Sequence, residues 1–226
     1  MKVIKTILHG LVVSLMLSHA AFGQRGNIME MLDPQYQNSS LLYAKTSPND
    51  NPFLINEFLH ADIVTFNKQV IKDVEMKYDV ENQLLYANTG GRLVILNNKM
   101  INSFDVQLPG TESKSTFLKM KEGEKDVYFE LLADGDSKFL KKTVKTRQNK
   151  TEVNSTGYNE EGARPSRYRQ NEFYYLLMQD GLHLVRLNGK SILKTLGSSR
   201  YKECAEALEL KLNQLKDIII LVKECK

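Results

Sequence analysis

Short runs that are either apolar or alternately apolar and polar dominate the first half of the chain from about residue 62. Short runs of this kind cover residues 63–66, 70–78, 84–87, 93–96 and 101–108. Turn-forming residues separate the runs, including Asn-Thr-Gly-Gly at 88–91 and Pro-Gly at 109–110. Strands end at such places because proline cannot donate a ladder hydrogen bond and glycine accepts a positive φ. The pattern predicts an antiparallel meander.

The second half predicts two further hairpins. Residues 127–132 and 139–144 flank Asp134-Gly135, whereas residues 173–178 and 182–187 flank Gln179-Asp180-Gly181. The Asp-Gly pair suits the left-handed backbone of a tight hairpin. Asn188-Gly189 predicts a third turn. The likeness between the two hairpins is too loose for a solenoid or a propeller.

Two polar segments interrupt this pattern. Residues 145–171 contain almost no aliphatic side chain apart from Val153, and residues 24–50 are rich in Asn, Gln, Ser and Pro. Such segments bury too little apolar area to offset the entropy of ordering them. We therefore predict a mobile loop at 145–171 and a loosely ordered lead-in at 24–50, with a short ordered segment at 41–44. Regular structure is expected to begin near Phe53.

The apolar period becomes helical at the C-terminus, where Ser198 offers a helix N-cap after Gly197. Two stripes with helical spacing follow: Tyr201, Cys204, Ala205, Leu208 and Leu212, then Leu215, Ile218, Ile219, Val222 and Cys225. Asn213-Gln214 separates them. We predict a helical hairpin within residues 199–226. The run at 218–222 also suits a buried strand, but the charged residues that flank it favour a helix.

The two cysteines, Cys204 and Cys225, lie on these stripes at opposite ends of the hairpin. An antiparallel hairpin brings them side by side, and an oxidising compartment permits a bridge between them. Closing a loop of roughly 20 residues stabilises a fold by about 3 kcal/mol in the chain-entropy model. The alternative is two buried, reduced thiols that behave as small hydrophobic residues.

The N-terminus has the layout of a secretory signal peptide. Lys2 and Lys5 precede an apolar run at 7–17, and Ala21-Phe22-Gly23 fits the small-x-small cleavage rule. We predict a signal peptide at 1–23, cleavage between Gly23 and Gln24, and export to the periplasm or the medium. An uncleaved anchor is the alternative, although the run is short for a membrane span. After cleavage the chain is expected not to span a membrane.

Composition narrows the class of protein further. The 226 residues are 42% hydrophobic and 26% charged, which is typical of a globular protein rather than a coiled coil or a disordered chain. The formal net charge of +4 falls to +2 when the two leader lysines are removed. Nucleic acid is therefore not an expected partner. The leader also takes two of the four histidines, which leaves His60 and His183.

Motifs that would define an enzyme are missing from the sequence. It contains no Gly-x-Ser-x-Gly elbow, His-Glu-x-x-His helix, P-loop or Gly-x-Gly-x-x-Gly turn. Asp134-Gly135-Asp136 could suggest calcium but lacks the spacing of an EF-hand loop, so a hairpin turn is the better interpretation. We assign no catalytic, cofactor-binding or metal-binding residue. Carboxylates such as Glu57, Glu75 and Glu130 leave a carboxylate-based hydrolase as a remote alternative.

One basic run stands out in the second half. It consists of Lys138, Lys141, Lys142, Lys145, Arg147 and Lys150, with no acidic residue between them. Arg164, Arg167 and Arg169 follow in the polar segment. Such a surface could attract phosphate-bearing envelope lipids or polysaccharides. The alternative is a solvated strand face that leads into a polar loop.

The chain also resembles a group of exported proteins common in Bacteroidota that have no established activity. The residues that carry the resemblance are Asn51-Pro52-Phe53-Leu54, Glu57-Phe58, Lys77-Tyr78-Asp79-Val80, Leu84-Leu85-Tyr86, the segment 127–135, Phe139-Leu140-Lys141-Lys142, Phe173-Tyr174-Tyr175-Leu176 and Ile192-Leu193-Lys194. They span most of residues 51–225 and are mainly aromatics and turns. The sequence departs from the group at His60-Ala61 and Asn67-Lys68, where more glycine is expected. The resemblance implies export and a fold, and transfers no catalytic residue.

These observations predict an α+β protein with one β-rich domain at 51–226. An antiparallel meander, flat or curled into a barrel or a sandwich, is closed by a C-terminal helical hairpin. The leading hypothesis is a non-enzymatic envelope module that binds an envelope protein, a polysaccharide or a lipid. The alternative is a small-molecule or lipid carrier with a cavity in the curled sheet. A carrier requires an apolar pocket, a hydrolase requires paired carboxylates with shifted pKa values, and an adaptor requires an exposed patch.

Overall fold

The computed structural model describes residues 27–33, 51–148 and 167–225. The predicted signal peptide at 1–23 lies outside these residues. The strands are β1 (Leu59–Thr65), β2 (Val70–Asp79), β3 (Leu84–Thr89), β4 (Arg92–Ile95), β5 (Ile101–Val106), β6 (Ser115–Glu122), β7 (Lys125–Asp134), β8 (Lys138–Gln148), β9 (Arg167–Met178) and β10 (Gly181–Val185). The helices are α1 (Gly189–Leu196), α2 (Ser199–Ala207) and α3 (Leu215–Glu224).

All ten strands form one antiparallel sheet in the order β10-β9-β8-β7-β6-β5-β1-β2-β3-β4. It consists of two meanders, β1 to β4 and β5 to β10, which meet where β5 pairs with β1. The α+β class and the antiparallel meander are therefore confirmed. The sheet is not closed, because β4 and β10 form its two edges, so the barrel and the two-sheet sandwich are not what forms.

The sheet nevertheless curls strongly. The turn between β2 and β3 reaches β7, where the Tyr128 amide donates to Gln83 Oε1 at 2.9 Å. The Tyr168 hydroxyl on β9 donates to Glu81 Oε2 at 2.8 Å in the same turn. Four aromatic rings fill the inside of the curl, with ring centroids 4.7 Å apart for Phe104 and Phe117 and 5.6 Å apart for Tyr78 and Tyr128. The inside of the curl is thus a packed aromatic core.

The helices cover one face of the β7–β10 half. Phe139 and Leu176 from the sheet pack with Ile192 of α1 and Ile218 of α3, and all four are fully buried. The neighbouring Leu140 lies on the other face, in a separate cluster, because successive side chains of a strand point to opposite faces. This arrangement fixes the helices against the end of the sheet that carries the β7–β8 and β9–β10 turns.

Three C-terminal helices form rather than the expected two. Asn188-Gly189, interpreted as a turn, instead begins α1, since Asn188 Oδ1 accepts from the Ser191 amide at 2.8 Å as an N-cap. Gly197 ends that helix at φ 71°, a left-handed conformation that glycine adopts without strain. The run at 218–222 is helical, as favoured from its flanking charges.

The predicted mobile loop at 145–171 is wrong at both ends. β8 continues to Gln148 and β9 begins at Arg167, and Lys145 pairs with Gln170 in their ladder. The Lys145 ammonium also donates to the Phe53 carbonyl. Cross-strand hydrogen bonds extend this pair of strands without an apolar core. The prediction missed this extension because it was based on apolar content alone. Residues 149–166 lie outside the described residues.

The loosely ordered lead-in at 24–50 also needs correction. Residues 27–33 contain a short 3₁₀ turn at Ile28–Met31, and Met31 is fully buried in the main core. Its carbonyl accepts from the Asn97 amide at 2.6 Å, and Leu32 bridges to Leu96 beside β4. Met31, together with Ile28 and Leu32 that pack against the same core, therefore anchors this segment. The expected ordered segment at 41–44 lies outside the described residues.

Candidate functional site

A cleft opens where three turns meet at one end of the sheet. The turns are those between β7 and β8, between β9 and β10, and between α1 and α2. We call it the three-turn cleft. Its volume is about 570 Å³, within the roughly 300–1,000 Å³ range of small-molecule sites. It is lined by Asp136, Ser137, Met178, Gln179, Asp180, Leu196, Ser198, Arg200 and Tyr201.

The β7–β8 turn forms one wall of the cleft and is held by α3. Gly135 lies so close to α3 that an added Cβ would overlap the Val222 carbonyl oxygen. The Gly135 amide donates to the Ser137 carbonyl at 3.0 Å, which closes the turn. The close approach therefore requires glycine at this position and fixes where Asp136 and Ser137 lie.

The opposite wall is the start of α2. Ser198 caps this helix, because its Oγ accepts from the Arg200 amide at 3.3 Å. Arg200 then reaches across the cleft, and its Nη2 donates to Asp136 Oδ2 at 2.8 Å. The guanidinium also lies 5.0 Å from the centre of the Tyr201 ring. Hydrogen bonds to the Tyr201 hydroxyl and to Asp136 raise the pKa of Arg200 further.

The β9–β10 turn supplies a second carboxylate. Asp180 Oδ1 lies 2.8 Å from His183 Nε2 on β10. The hydrogen bond from the imidazole lowers the pKa of Asp180, so this side chain is ionised at neutral pH. The cleft thus presents two carboxylates, Asp136 and Asp180, each beside a nitrogen donor.

The hydroxyl of Ser137 has an unusual environment. The residue is 6% exposed, and its Oγ has no hydrogen-bond partner within the described parts of the chain. A buried polar group left in this state costs about 1–3 kcal/mol, and native structures contain few of them. Ser137 lines the cleft but its Oγ is closed to solvent, so a ligand hydroxyl or carbonyl could supply the missing bond only if the wall around it shifts.

The two cysteines connect the walls of the cleft. Cys204 lies one turn after Tyr201 on α2, and Cys225 follows α3 directly. Their sulfur atoms are at disulfide distance and their Cα atoms are 5.9 Å apart. A bond here ties α2, which carries Arg200, to the helix that holds the β7–β8 turn. The expected juxtaposition of the two cysteines is therefore seen.

The basic run lies on β8, where most of its described members have carboxylate partners. Lys138 pairs with Asp134, Lys141 Nζ lies 2.7 Å from Glu130 Oε2, and Lys142 Nζ lies 2.6 Å from Glu122. Lys145 donates to a backbone carbonyl and Arg147 is exposed. Lys150 and Arg164 lie outside the described residues. These lysine–carboxylate pairs favour a solvated strand face over an anion-binding patch. The anion-binding patch stays a prediction.

Other residues singled out from the sequence lie away from the cleft. Glu75 accepts from Asn88 and Glu130 accepts from Ser115, while His60 pairs with Asp73 on exposed strand positions. In the described part of the chain, no group of three or more His, Cys, Asp or Glu could hold a metal ion.

The cleft residues escaped sequence reasoning, although their turns did not. Asp134-Gly135 and Gln179-Asp180-Gly181 are predicted as turns, and Ser198 after Gly197 as a helix N-cap. Alternate turns of a meander lie at the same end of a sheet, so the first two could have been placed together. Nothing in the sequence signals that the Ser137 hydroxyl is buried or that Arg200 reaches Asp136.

Comparison of the chain with protein-family models, curated proteins and solved structures gives no match. The resemblance to exported Bacteroidota proteins therefore stays a prediction. Among the described residues, no helix has the length and apolar character needed to cross a membrane.

Proposed function

We propose that this chain is an exported, non-enzymatic binding module whose ligand site is the three-turn cleft. The observation that carries the proposal is the unpartnered hydroxyl of Ser137, a residue of the cleft wall; this hydroxyl is closed to solvent, and a ligand reaches it when the wall shifts. A buried hydroxyl with no role in the fold lowers stability. A ligand that bonds to it would give it a role.

Binding fits the cleft better than the two alternative functions. A carboxylate-based hydrolase at this cleft needs a carboxyl group that stays protonated near neutral pH, whereas the pKa of Asp180 is lowered. A carrier of the expected kind needs space inside the curled sheet, whereas Tyr78, Phe104, Phe117 and Tyr128 occupy that space. Both alternatives therefore receive less support than a binding module.

Export is part of the proposal. The tripartite N-terminus supports it, as does the resemblance to exported Bacteroidota proteins. Two cysteines at disulfide distance are typical of proteins in an oxidising compartment. The expected partners are accordingly those of the cell envelope: a polysaccharide, a lipid or another envelope protein.

Backbone amide NMR of the purified protein tests the site. Sugars, sugar acids, phosphates and amino acids are added as separate pools, and amide shifts are mapped onto the structure. We expect at least one pool to shift amides of the three turns, at 135–137, 179–181 and 197–201. Shifts confined to other parts of the sheet, or none with any pool, would contradict the proposal.

A further inference from the structure

We propose that the ligand of the three-turn cleft is a neutral saccharide. The inference rests on the proposed function and names the chemical class that the cleft recognises. The lining offers carboxylate acceptors from Asp136 and Asp180, guanidinium donors from Arg200 and the hydroxyl of Ser198, and the hydroxyl of Ser137 is buried behind it. A sugar ring carries many hydroxyls, each of which can donate and accept, so it matches a wall that mixes both kinds of group.

The charges of the cleft are arranged in compensated pairs. Asp136 lies 2.8 Å from Arg200, and Asp180 lies 2.8 Å from His183. A site for a phosphate or a carboxylate would need an excess of positive charge to offset the desolvation of the anion. Adjacent carboxylate and guanidinium groups instead suit two neighbouring hydroxyls, one donating to Asp136 and one accepting from Arg200. An uncharged ligand rich in hydroxyls therefore fits this lining.

The cleft also has an apolar side. Met178 and Leu196 line it beside the polar groups. The ring of a sugar has C–H groups that pack on apolar side chains while its hydroxyls reach polar ones. A volume of about 570 Å³ accommodates a small saccharide rather than a single ion. A small saccharide thus matches both the polar and the apolar parts of the lining.

Ser137 gives the saccharide a specific contact. Its hydroxyl is buried and unpartnered among the described residues, whereas that of Ser191 on α1 accepts from the Arg186 amide at 3.0 Å. Because this hydroxyl is closed to solvent, a ligand hydroxyl has to displace the part of the wall that covers it, and it then makes one neutral hydrogen bond. Such a bond corresponds to roughly a three- to tenfold change in affinity.

An array of neutral and acidic oligosaccharides, followed by titration of the best neutral binder, tests the inference. We expect a neutral saccharide to bind and to shift amides of the three turns. Ser137→Ala is expected to weaken this binding about three- to tenfold, and Asp136→Asn to weaken it as well. Ser191→Ala, a matched deletion of a hydroxyl outside the cleft, should leave the affinity unchanged.

The outcomes separate the ligand class from the site. Cleft shifts produced by inorganic phosphate or sugar acids, without binding of any neutral saccharide, would overturn the saccharide class and leave the binding module standing. A neutral saccharide that binds equally to wild type and Ser137→Ala would also overturn the inference. If no probe shifts the three turns, both the inference and the proposed function fail.

Discussion

Breaking the link between Cys204 and Cys225 should destabilise the protein substantially. The pair closes a loop with a sequence separation of 21 residues. A loop of this length gives about 3 kcal/mol in the chain-entropy model, because the cross-link restricts the unfolded chain. For a protein of this size, such a loss lowers the melting temperature on the order of 10 °C. Reduction should also loosen α2 relative to α3, and with it the position of Arg200 in the cleft.

Two measurements on the purified protein check this expectation. Intact mass without reductant should be 2 Da below the value for two free thiols, one hydrogen being lost from each cysteine. Urea unfolding is then compared for oxidised wild type, reduced wild type and the double variant Cys204→Ala/Cys225→Ala. Reduced wild type keeps both sulfur atoms, so it separates the cross-link from the packing of the side chains. Equal unfolding midpoints with and without reductant, or no mass deficit, would refute the reasoning.

Three further outcomes follow from the structure. Gly135→Ala should cost about 1–3 kcal/mol because its Cβ overlaps the Val222 carbonyl. Gly189→Ala is the control: its Cβ would lie 3.2 Å from the Leu212 Cβ, a tight contact without overlap, so it should show a smaller loss in urea unfolding. Burial alone would raise the pKa of Glu122, but hydrogen bonds from Lys142 and a tyrosine outweigh it and lower the pKa below 4.5. That stabilisation is present above pH 4.5 and is lost as the pH falls through the folded-state pKa, so the stability gap between wild type and Glu122→Gln should narrow on acidification; a constant gap from pH 7 to about 3 would count against it. Because the lysines of β8 are paired, the protein should bind only weakly to an anionic polymer. Binding that falls steeply as salt is added would instead support the predicted anion-binding patch.

The local pattern of the chain was enough to predict nine of the ten strands, but it missed β6, in which Phe117 is the one buried residue. Alternation and turn residues identified the meander, and the helical period placed Cys204 and Cys225 on facing positions. The pairing of β5 with β1 was not predictable in this way. It depends on which edge strand of the first meander, β1 or β4, accepts the next strand. The start of α1 was missed since Asn188-Gly189 serves equally well as a turn and as a helix cap.

The candidate site could be recognised only from the three-dimensional packing of the chain. Arg200 and Asp136 are 64 positions apart in the chain and meet only when α2 lies over the β7–β8 turn. The position of the β7–β8 turn likewise depends on the close approach of Gly135 to α3. Met31 shows the same limit, because the short, mostly apolar run at 28–32 within a polar segment has no strand or helix period, yet Met31 is fully buried.

The hydroxyl of Ser137 is proposed to serve a ligand rather than the fold, and the free energy of unfolding of Ser137→Ala without ligand tests this most directly. Removing an unsatisfied buried hydroxyl removes its desolvation cost, so we expect the variant to be as stable as wild type or more stable by up to about 1 kcal/mol. Ser191→Ala, which deletes a bonded hydroxyl, should be less stable by about 0.5–1.5 kcal/mol. A loss of 1 kcal/mol or more in Ser137→Ala would show that the hydroxyl supports the fold and would contradict its role in binding.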